Sequence, residues 1–505
     1  MLSLYVTSDE KALVQHIIDS EFRLNEVVDV KDLADVGTDG EHKHLILRNK
    51  SIGVPIDWYN EAPPYLLPNP IPFSADTLLA VVYARLFNYE KAYPRAESVP
   101  ELLRDIDRIN SIQHGVAVGL PPEPETFDTA FDEYRFWHNL AIMAHYAELT
   151  HFVHFSVIRR YYERAYDLAP NDEFKAFTGK HWATLLLDAD ELTAAERLLT
   201  ECIDFAISEE ATFELMNVQY GVWMKQLTVP YDAALLAKIK ESLWAILQYN
   251  EQRNNPVQTA LLLIDASQVA NISDSFSESL GYINRAVQLL EAAEIPELVA
   301  NAQYRKATLL YTWAQNGNPQ FFRPAMEAYQ QAIKVFTKEA SPEVFAEIQH
   351  HLGVIYSEVP DEVKVKSIWA AVSVSSFKEA LSYFTRETNP YEYARICTSY
   401  ANALTKFPDS ALVDNYTKAL TFYREALEVR TADEYPYERA LTILNFLEAA
   451  WFVAVPEKEQ QQQLFAEMSA FCREIPTLVP DPKLGEEAQI HQERLEKVKE
   501  SLTFS

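Results

Sequence analysis

Three histidines fall close together in the stretch HYAELTHFVHF, at His145, His151 and His154. If that stretch is helical, His151 and His154 stand at i, i+3 and share a face, a spacing at which two imidazoles could hold a metal ion. No carboxylate or third ligand stands at matching spacing, and the neighbours Tyr146, Phe152 and Phe155 read as packing residues. His350 and His351 lie in another apolar helical run, where either could line a groove. Asp188, Asp190 and Glu191 sit in a turn pattern and read as helix caps rather than as an acid–base pair. Neither a G-x-S-x-G nucleophile elbow nor a glycine-rich phosphate loop occurs. Cys202, Cys397 and Cys472 are odd in number, far apart and set in helical patterns, so no disulfide framework or Cys-x-x-Cys metal site follows. The sequence therefore assigns no catalytic residue, no metal ligand set and no cofactor.

Bulk properties narrow the classes further. The chain has 505 residues, 48% of them hydrophobic, which suits several domains or one long repeat array. A formal net charge of −30 opposes binding to a phosphate backbone, which needs a basic stripe, and favours a basic partner if it favours any. The 11 glycines are few for an all-β protein of this length. The start MLSLYVTSDE lacks a basic segment followed by an apolar core, so no signal peptide is expected. Ala449–Val455 is a wholly apolar run too short to span a membrane. Unpaired cysteines fit a reduced, cytoplasmic setting.

The elements that must carry any site are set by a period. Pro296, Pro342, Pro390 and Pro436 are spaced by 46, 48 and 46 residues. Each is followed four positions later by an alanine, Ala300, Ala346, Ala394 and Ala440, and then by an apolar helical run. Proline suits the first turn of a helix, where its missing N–H leaves nothing unpaired. A second helix is clearest at PAMEAYQQAIKVF (324–336) and NYTKALTFYREALEV (415–429). There Ala325 and Ala332, and likewise Ala419 and Ala426, lie seven apart with Tyr329 and Tyr423 between them. Small and aromatic residues thus share one face, and a hairpin of two such helices cannot bury that face without a neighbour.

These residues resemble the tetratricopeptide repeat superfamily. Leu352, Gly353 and Tyr356 match its first helix; Ala325, Tyr329 and Ala332, and again Ala419, Tyr423 and Ala426, match its second. The period of 46–48 residues exceeds the roughly 34 of that family, so helices or loops are extended. The resemblance implies an all-α, TPR-like α-α superhelix, a right-handed curved solenoid of about nine helical hairpins with a small α/β cap at the N-terminus. It also implies a concave surface lined by the first helix of each unit.

In chain order, residues 1–60 read as the cap, with strands at Leu2–Thr7, Asn25–Val30 and His44–Leu47. A helix over Asp9–Phe22 is capped by Ser8, and a turn falls at Gly37–Gly40. This strand–helix–strand start loosely resembles thioredoxin-like modules, without their catalytic cysteine. Residues 61–72 (EAPPYLLPNPIP) read as a proline-rich linker. Ser74 caps the first repeat helix. Divergent repeats follow over 73–295, regular ones over 296–476, and a polar capping helix over 477–505. Asn316–Pro324 and Val359–Ser376 read as lengthened turns; the first exposes Phe321 and Phe322 unless they plug the adjacent groove, and the second carries Trp369.

Counting from Leu352-Gly353, the inward positions are Asn301, Tyr304 and Thr308 in one copy. In the next two they are Glu347, His350 and Val354, then Arg395, Thr398 and Asn402. They are polar or mixed where a packing face would be aliphatic, and they are the binding candidates. The expected role is a cytoplasmic protein-interaction scaffold or adaptor. It holds a peptide or helix of another protein, the net charge favouring a basic one, with no nucleic acid, membrane or cofactor. One alternative is a regulator that senses a short peptide by a change of superhelical pitch. The second is a helical-repeat enzyme or metal protein using His145, His151 and His154.

Overall fold

The computed structural model describes residues 2–35, 44–56, 58, 71–228, 230–360, 363–407, 414–454 and 457–503. The chain forms two compact units, Met1–Asn255 and Pro256–Ser505.

The first unit opens with strand β1 (Leu2–Val6), helix α1 (Lys11–Asp19), and strands β2 (Val28–Asp32), β3 (His44–Arg48), β4 (Ser51–Gly53) and β5 (Ile71–Pro72). The sheet order is β2-β1-β3-β4-β5. β1 pairs parallel with both neighbours, Leu4 lying opposite Val30 and Leu45. The β3–β4 and β4–β5 pairs are antiparallel. All five residues of β1 are buried, as a central parallel strand covered on both faces requires. The three expected strands are present. Two expectations of detail are corrected. Ser8 does not cap α1; its hydroxyl donates to Asp32 at 2.8 Å, and the helix starts two residues later than expected. Ile71–Pro72 is a sheet edge rather than linker, because Ile71 fits fully buried beside Ile52. The turn at 37–40 and the proline-rich 61–70 lie outside the described residues.

Helices follow. The first unit continues with α2 (Ala75–Arg85) and α3 (Tyr89–Ala96), then α4 (Pro100–Gln113). Next come α5 (Ala130–Tyr146) and α6 (Phe155–Leu168), α7 (Asp172–Asp188) and α8 (Leu192–Ile203), and α9 (Glu209–Gln226) and α10 (Ala233–Gln252). Ser74 closes a capping box with Thr77 at the start of α2, as its position predicts. The second unit holds α11 (Pro256–Ile272) with α12 (Phe276–Ala292), and α13 (Pro296–Gln315) with α14 (Phe322–Ala332). It continues with α15 (Pro342–Glu358) and α16 (Val363–Tyr383), α17 (Pro390–Leu404) and α18 (Asn415–Val429), and α19 (Pro436–Ala450) and α20 (Lys458–Leu478). α21 (Pro482–Thr503) ends the series. The consecutive pairs make nine hairpins among the described residues, four in the first unit and five in the second. No described helix is long and apolar enough to cross a membrane.

The periodic residues do what their types dictate. Pro296, Pro342, Pro390 and Pro436 each open a helix. The alanines four positions on are buried in all four copies. In α14 and α18 the alanines are buried and Tyr329 and Tyr423 are buried between them. Gly353 permits a close approach: a Cβ there would stand 3.0 Å from the ring of Phe377 on α16. Where glycine is scarce, Asp190, Asn254, Asp274 and Glu294 adopt positive φ at the turns between helices. Asp and Asn tolerate that region better than most side chains.

Both lengthened turns are more ordered than the sequence predicts. Phe322 is buried and Phe321 packs edge-on to Trp313 at 5.3 Å, so these rings plug their hairpin instead of standing exposed. From Val363 on, the second stretch is helix α16, and Trp369 stacks on Tyr356 at 5.4 Å. Its valines and serines have weak helix propensity, and packing along α15 decides the outcome. α21 buries Leu484, Ala488 and Leu495 against its neighbours and leaves Ile490 exposed among mostly polar residues.

Candidate functional site

Helices α13, α15 and α17 carry the candidate residues, of which Tyr304 bonds Thr308 and Arg395 bonds both Glu347 and His350. On α13, Thr308 donates to the Tyr304 carbonyl at 3.0 Å, so the Tyr329 hydroxyl must be the donor in its 3.0 Å bond to Thr308. Tyr304 packs edge-on to Tyr329, and Asn301 is half-buried one turn before it. On α17, Thr398 accepts from the Arg430 guanidinium at 3.2 Å, and Arg430 also donates to Thr442 at 2.7 Å. Val354 is half-buried against the surrounding core.

Between α15 and α17 lies a charged knot. Glu347, His350 and His351 stand at i, i+3 and i+4, one face of α15. Arg395 on α17 donates to Glu347 at 2.6 Å, to Glu392 at 2.5 Å and to Nδ1 of His350 at 3.0 Å. The Nε2–H of His351 donates to the second oxygen of Glu347 at 3.0 Å. Burial would raise the Glu347 carboxyl, but the His351 bond and the Arg395 charge outweigh it and hold the group at about 2. Burial, with the like charges of His351 and Arg395, keeps His350 far below the usual imidazole range and hence neutral. Arg395 fixes its tautomer: Nδ1 accepts, so Nε2 carries the proton.

The ligand atoms of Glu347, His350 and His351 lie within 4.8 Å of one another, a donor set that fits a divalent ion on composition alone. The place is taken. The guanidinium of Arg395 already uses a Glu347 oxygen and the His350 lone pair, and a second cation beside it would meet a fixed positive charge. The knot is a buried polar tie between neighbouring hairpins.

The histidine reading of the first unit is overturned. His151 and His154 are not on a helix; they lie in the connection between α5 and α6, and His154 caps α6 through Ser156. His145 engages both ring nitrogens, Nδ1 with the Tyr162 hydroxyl at 3.0 Å and Nε2 with Asp188 at 3.1 Å. It has no lone pair to give, so the three do not form a metal site. Asp188 therefore orients a histidine, and Glu191 pairs with Arg159 at 3.1 Å; neither caps α8, whose start has no side-chain cap.

Asn402 leads to the feature that the sequence did not show. It lines a cavity of about 370 Å³ together with Thr405 and Lys406 at the end of α17 and Tyr416 and Tyr423 on α18. Asn445, Glu448 and Ala449 of α19, and Phe452 beyond it, complete the wall. The Tyr423 hydroxyl donates to Asn402 Oδ1 at 2.5 Å, which turns the amide NH2 away from that contact. Tyr416 and Phe452 stack with centroids 5.1 Å apart and ring planes at 23°. Lys406 is paired with Glu358. One signal in the sequence could have found part of this wall. Glu448 stands twelve residues after Pro436, as Asn402 does after Pro390, so the fourth copy puts a carboxylate where the third has an amide.

No family model matches this sequence, and no curated protein matches it either. Solved structures match at low identity. One is a signal-transduction ATPase with numerous domains and a tetratricopeptide repeat sensor, from Pyrococcus horikoshii, 14% identical with a TM-score of 0.45. The match covers 72% of this chain and 53% of that one, so the chain spans about half of that protein's length. Yeast Tom70 is 15% identical, with 84% of this chain and 88% of that chain covered and a TM-score of 0.27. A circular tandem repeat protein is 12% identical, with coverages of 85% and 96% and a TM-score of 0.20. The class of the fold rests on this chain's own hairpins: it is a TPR-like helical repeat with a five-stranded α/β cap.

Proposed function

We propose that this chain is a protein-interaction scaffold that holds a segment of a partner protein, a peptide or a helix, against the first-helix face of its second unit. The cavity around Asn402 carries the proposal. It combines two amides, a stacked aromatic pair and one charge of each sign in about 370 Å³, a volume at the small end for a ligand pocket. That size suits one or two side chains of a larger partner. Asn402 and Asn445 can bond a peptide backbone as donors and acceptors, and Phe452, 65% exposed, offers a flat apolar surface at the rim. Among the described residues the lining contains no histidine, cysteine or serine, so holding a ligand needs less of it than turning one over. The other candidates, Asn301, Tyr304, Thr308, Glu347, His350, Arg395 and Thr398, have a mainly architectural part in this reading, keeping adjacent hairpins in register beneath that face.

The test is selection from a random peptide display library on the full chain, followed by affinity measurement on wild type and on Asn445→Ala/Phe452→Ala. Hot-spot residues typically cost more than about 1 kcal/mol, so binding of selected peptides should weaken roughly tenfold with the melting curve unchanged. Selected peptides that bind the double variant within twofold of wild type would place recognition elsewhere and end this reading.

A further inference from the structure

The charges around the cavity do not balance, and the imbalance identifies a ligand. Among the described residues that line it, two are ionised, Lys406 and Glu448. Lys406 is bound to Glu358, so those two cancel. Glu448 is exposed on the cavity wall and makes no hydrogen bond or ion pair among the described residues. Arg494 on α21 has its guanidinium over the Trp451 ring at 4.1 Å. The cavity therefore presents one uncompensated carboxylate.

Opposite in kind to that carboxylate is the aromatic shelf. Tyr416 supports Phe452 from one side, and the other face of Phe452 is largely open. An aromatic face carries partial negative charge and attracts a cation. The methylene stem of a long basic side chain can lie along such a ring while its charged head reaches a carboxylate. The amides of Asn402 and Asn445 add no net charge; the Asn402 oxygen already accepts from Tyr423, which leaves its NH2 to donate to a carbonyl of the partner's backbone. The unpaired carboxylate and the aromatic face both favour a positive charge over a negative one. The chain as a whole, at −30, steers basic segments toward it.

We propose that this cavity takes the cationic side chain of a lysine or arginine in the partner segment, with its charge on Glu448 and its stem on Phe452. This rests on the scaffold reading above and names the chemistry of what is held.

The experiment uses the full chain and four degenerate decapeptide libraries whose central residue is fixed as Lys, Arg, norleucine or Glu. Retention of each is compared on wild type, Glu448→Gln and Asn445→Ala/Phe452→Ala, with a thermal melt of each variant. A charge-assisted contact plus a cation–π contact predicts roughly tenfold greater retention of the Lys and Arg libraries than of norleucine. Glu448→Gln should abolish that preference, and Glu448→Lys should turn it toward the Glu library. If a basic preference survives Glu448→Gln, it comes from the acidic surface at large and the inference is overturned. If all four libraries bind alike and all are lost in Asn445→Ala/Phe452→Ala, the scaffold stands and the cation pocket falls. If no library depends on Asn445 and Phe452, both fail.

Discussion

Replacing Arg395 with methionine tests how the hairpins α15 and α17 are held together. Methionine keeps much of the stem and removes every charged contact. Three things are lost: the 2.6 Å pair with Glu347, the 2.5 Å pair with Glu392 and the donor to His350 Nδ1. The side chains of Arg395 and Glu347 are 29% and 23% exposed, so this pair is neither dry nor freely solvated. An orphaned acceptor on His350, which is 3% exposed, costs about 1–3 kcal/mol. The unpaired Glu347 adds about 1–2 kcal/mol, reduced because His351 still donates to it. Glu392, 34% exposed, adds at most about 1 kcal/mol, and burial of the methionine returns a similar amount. The expected loss is about 3 kcal/mol in urea unfolding at pH 7. Its pH dependence is a second readout. The Glu347 carboxyl is held at about 2 against an ordinary value of 4.5, so its stabilisation is complete above pH 4.5 and disappears as pH falls toward 2. Losing Arg395 raises that carboxyl, so the variant should lose less stability across pH 4.5 to 2 than wild type does. The cycle with Glu347→Gln should show a coupling above about 1 kcal/mol. A loss under about 1 kcal/mol, with an unchanged acid limb, would mean that water replaces Arg395 at no cost and that the knot is not structural.

Two further outcomes follow from buried groups. At Gly179→Ala the new Cβ would stand 2.5 Å from the Cys202 sulfur and 3.2 Å from the Tyr166 ring. Overpacking of about 1–3 kcal/mol should cancel or exceed the roughly 1 kcal/mol that alanine gains in a helix, so thermal unfolding should show no stabilisation; a rise in melting temperature would refute the close approach. Burial pushes the His138 imidazole down to about 3 from 6.5, so the folded state holds it neutral and stability should fall as pH drops from 6.5 toward 3. His138→Leu should flatten that slope by about 1.4 kcal/mol per pH unit, measured by denaturant unfolding between pH 6.5 and 4. An unchanged slope would show that His138 is not the group that titrates.

The parts of the fold legible in the sequence were those governed by local rules. Proline opens a helix wherever it stands, and an alanine–tyrosine–alanine face needs a neighbour, so the regular hairpins and their boundaries could be read from Pro296, Pro342, Pro390 and Pro436. The helix at Val363–Tyr383 could not, because its propensity is poor and α15 supplies what it lacks. The histidines at 145, 151 and 154 misled because their connection is not helical, which removes the i, i+3 geometry. At the candidate site, helix spacing pointed to the residues singly and carried no sign of their pairing. By spacing, Glu347, His350 and Arg395 are groove residues available to bind a partner. The fold closes them on one another, since they come from turns of α15 and α17 that lie 45 or more residues apart in the chain.

By itself, the sequence determined the unit: two amphipathic helices, their starts, and the small and aromatic residues that let one pair stack on the next. Those choices act within a few turns of one helix, where spacing along the chain is spacing in space. Only the tertiary structure decided which polar groups neutralise each other and which stay open. Arg395 finds Glu347 and Lys406 finds Glu358 across hairpins, while Glu448 makes no hydrogen bond or ion pair among the described residues. Charge compensation depends on distances between side chains far apart in sequence, and no local pattern encodes them.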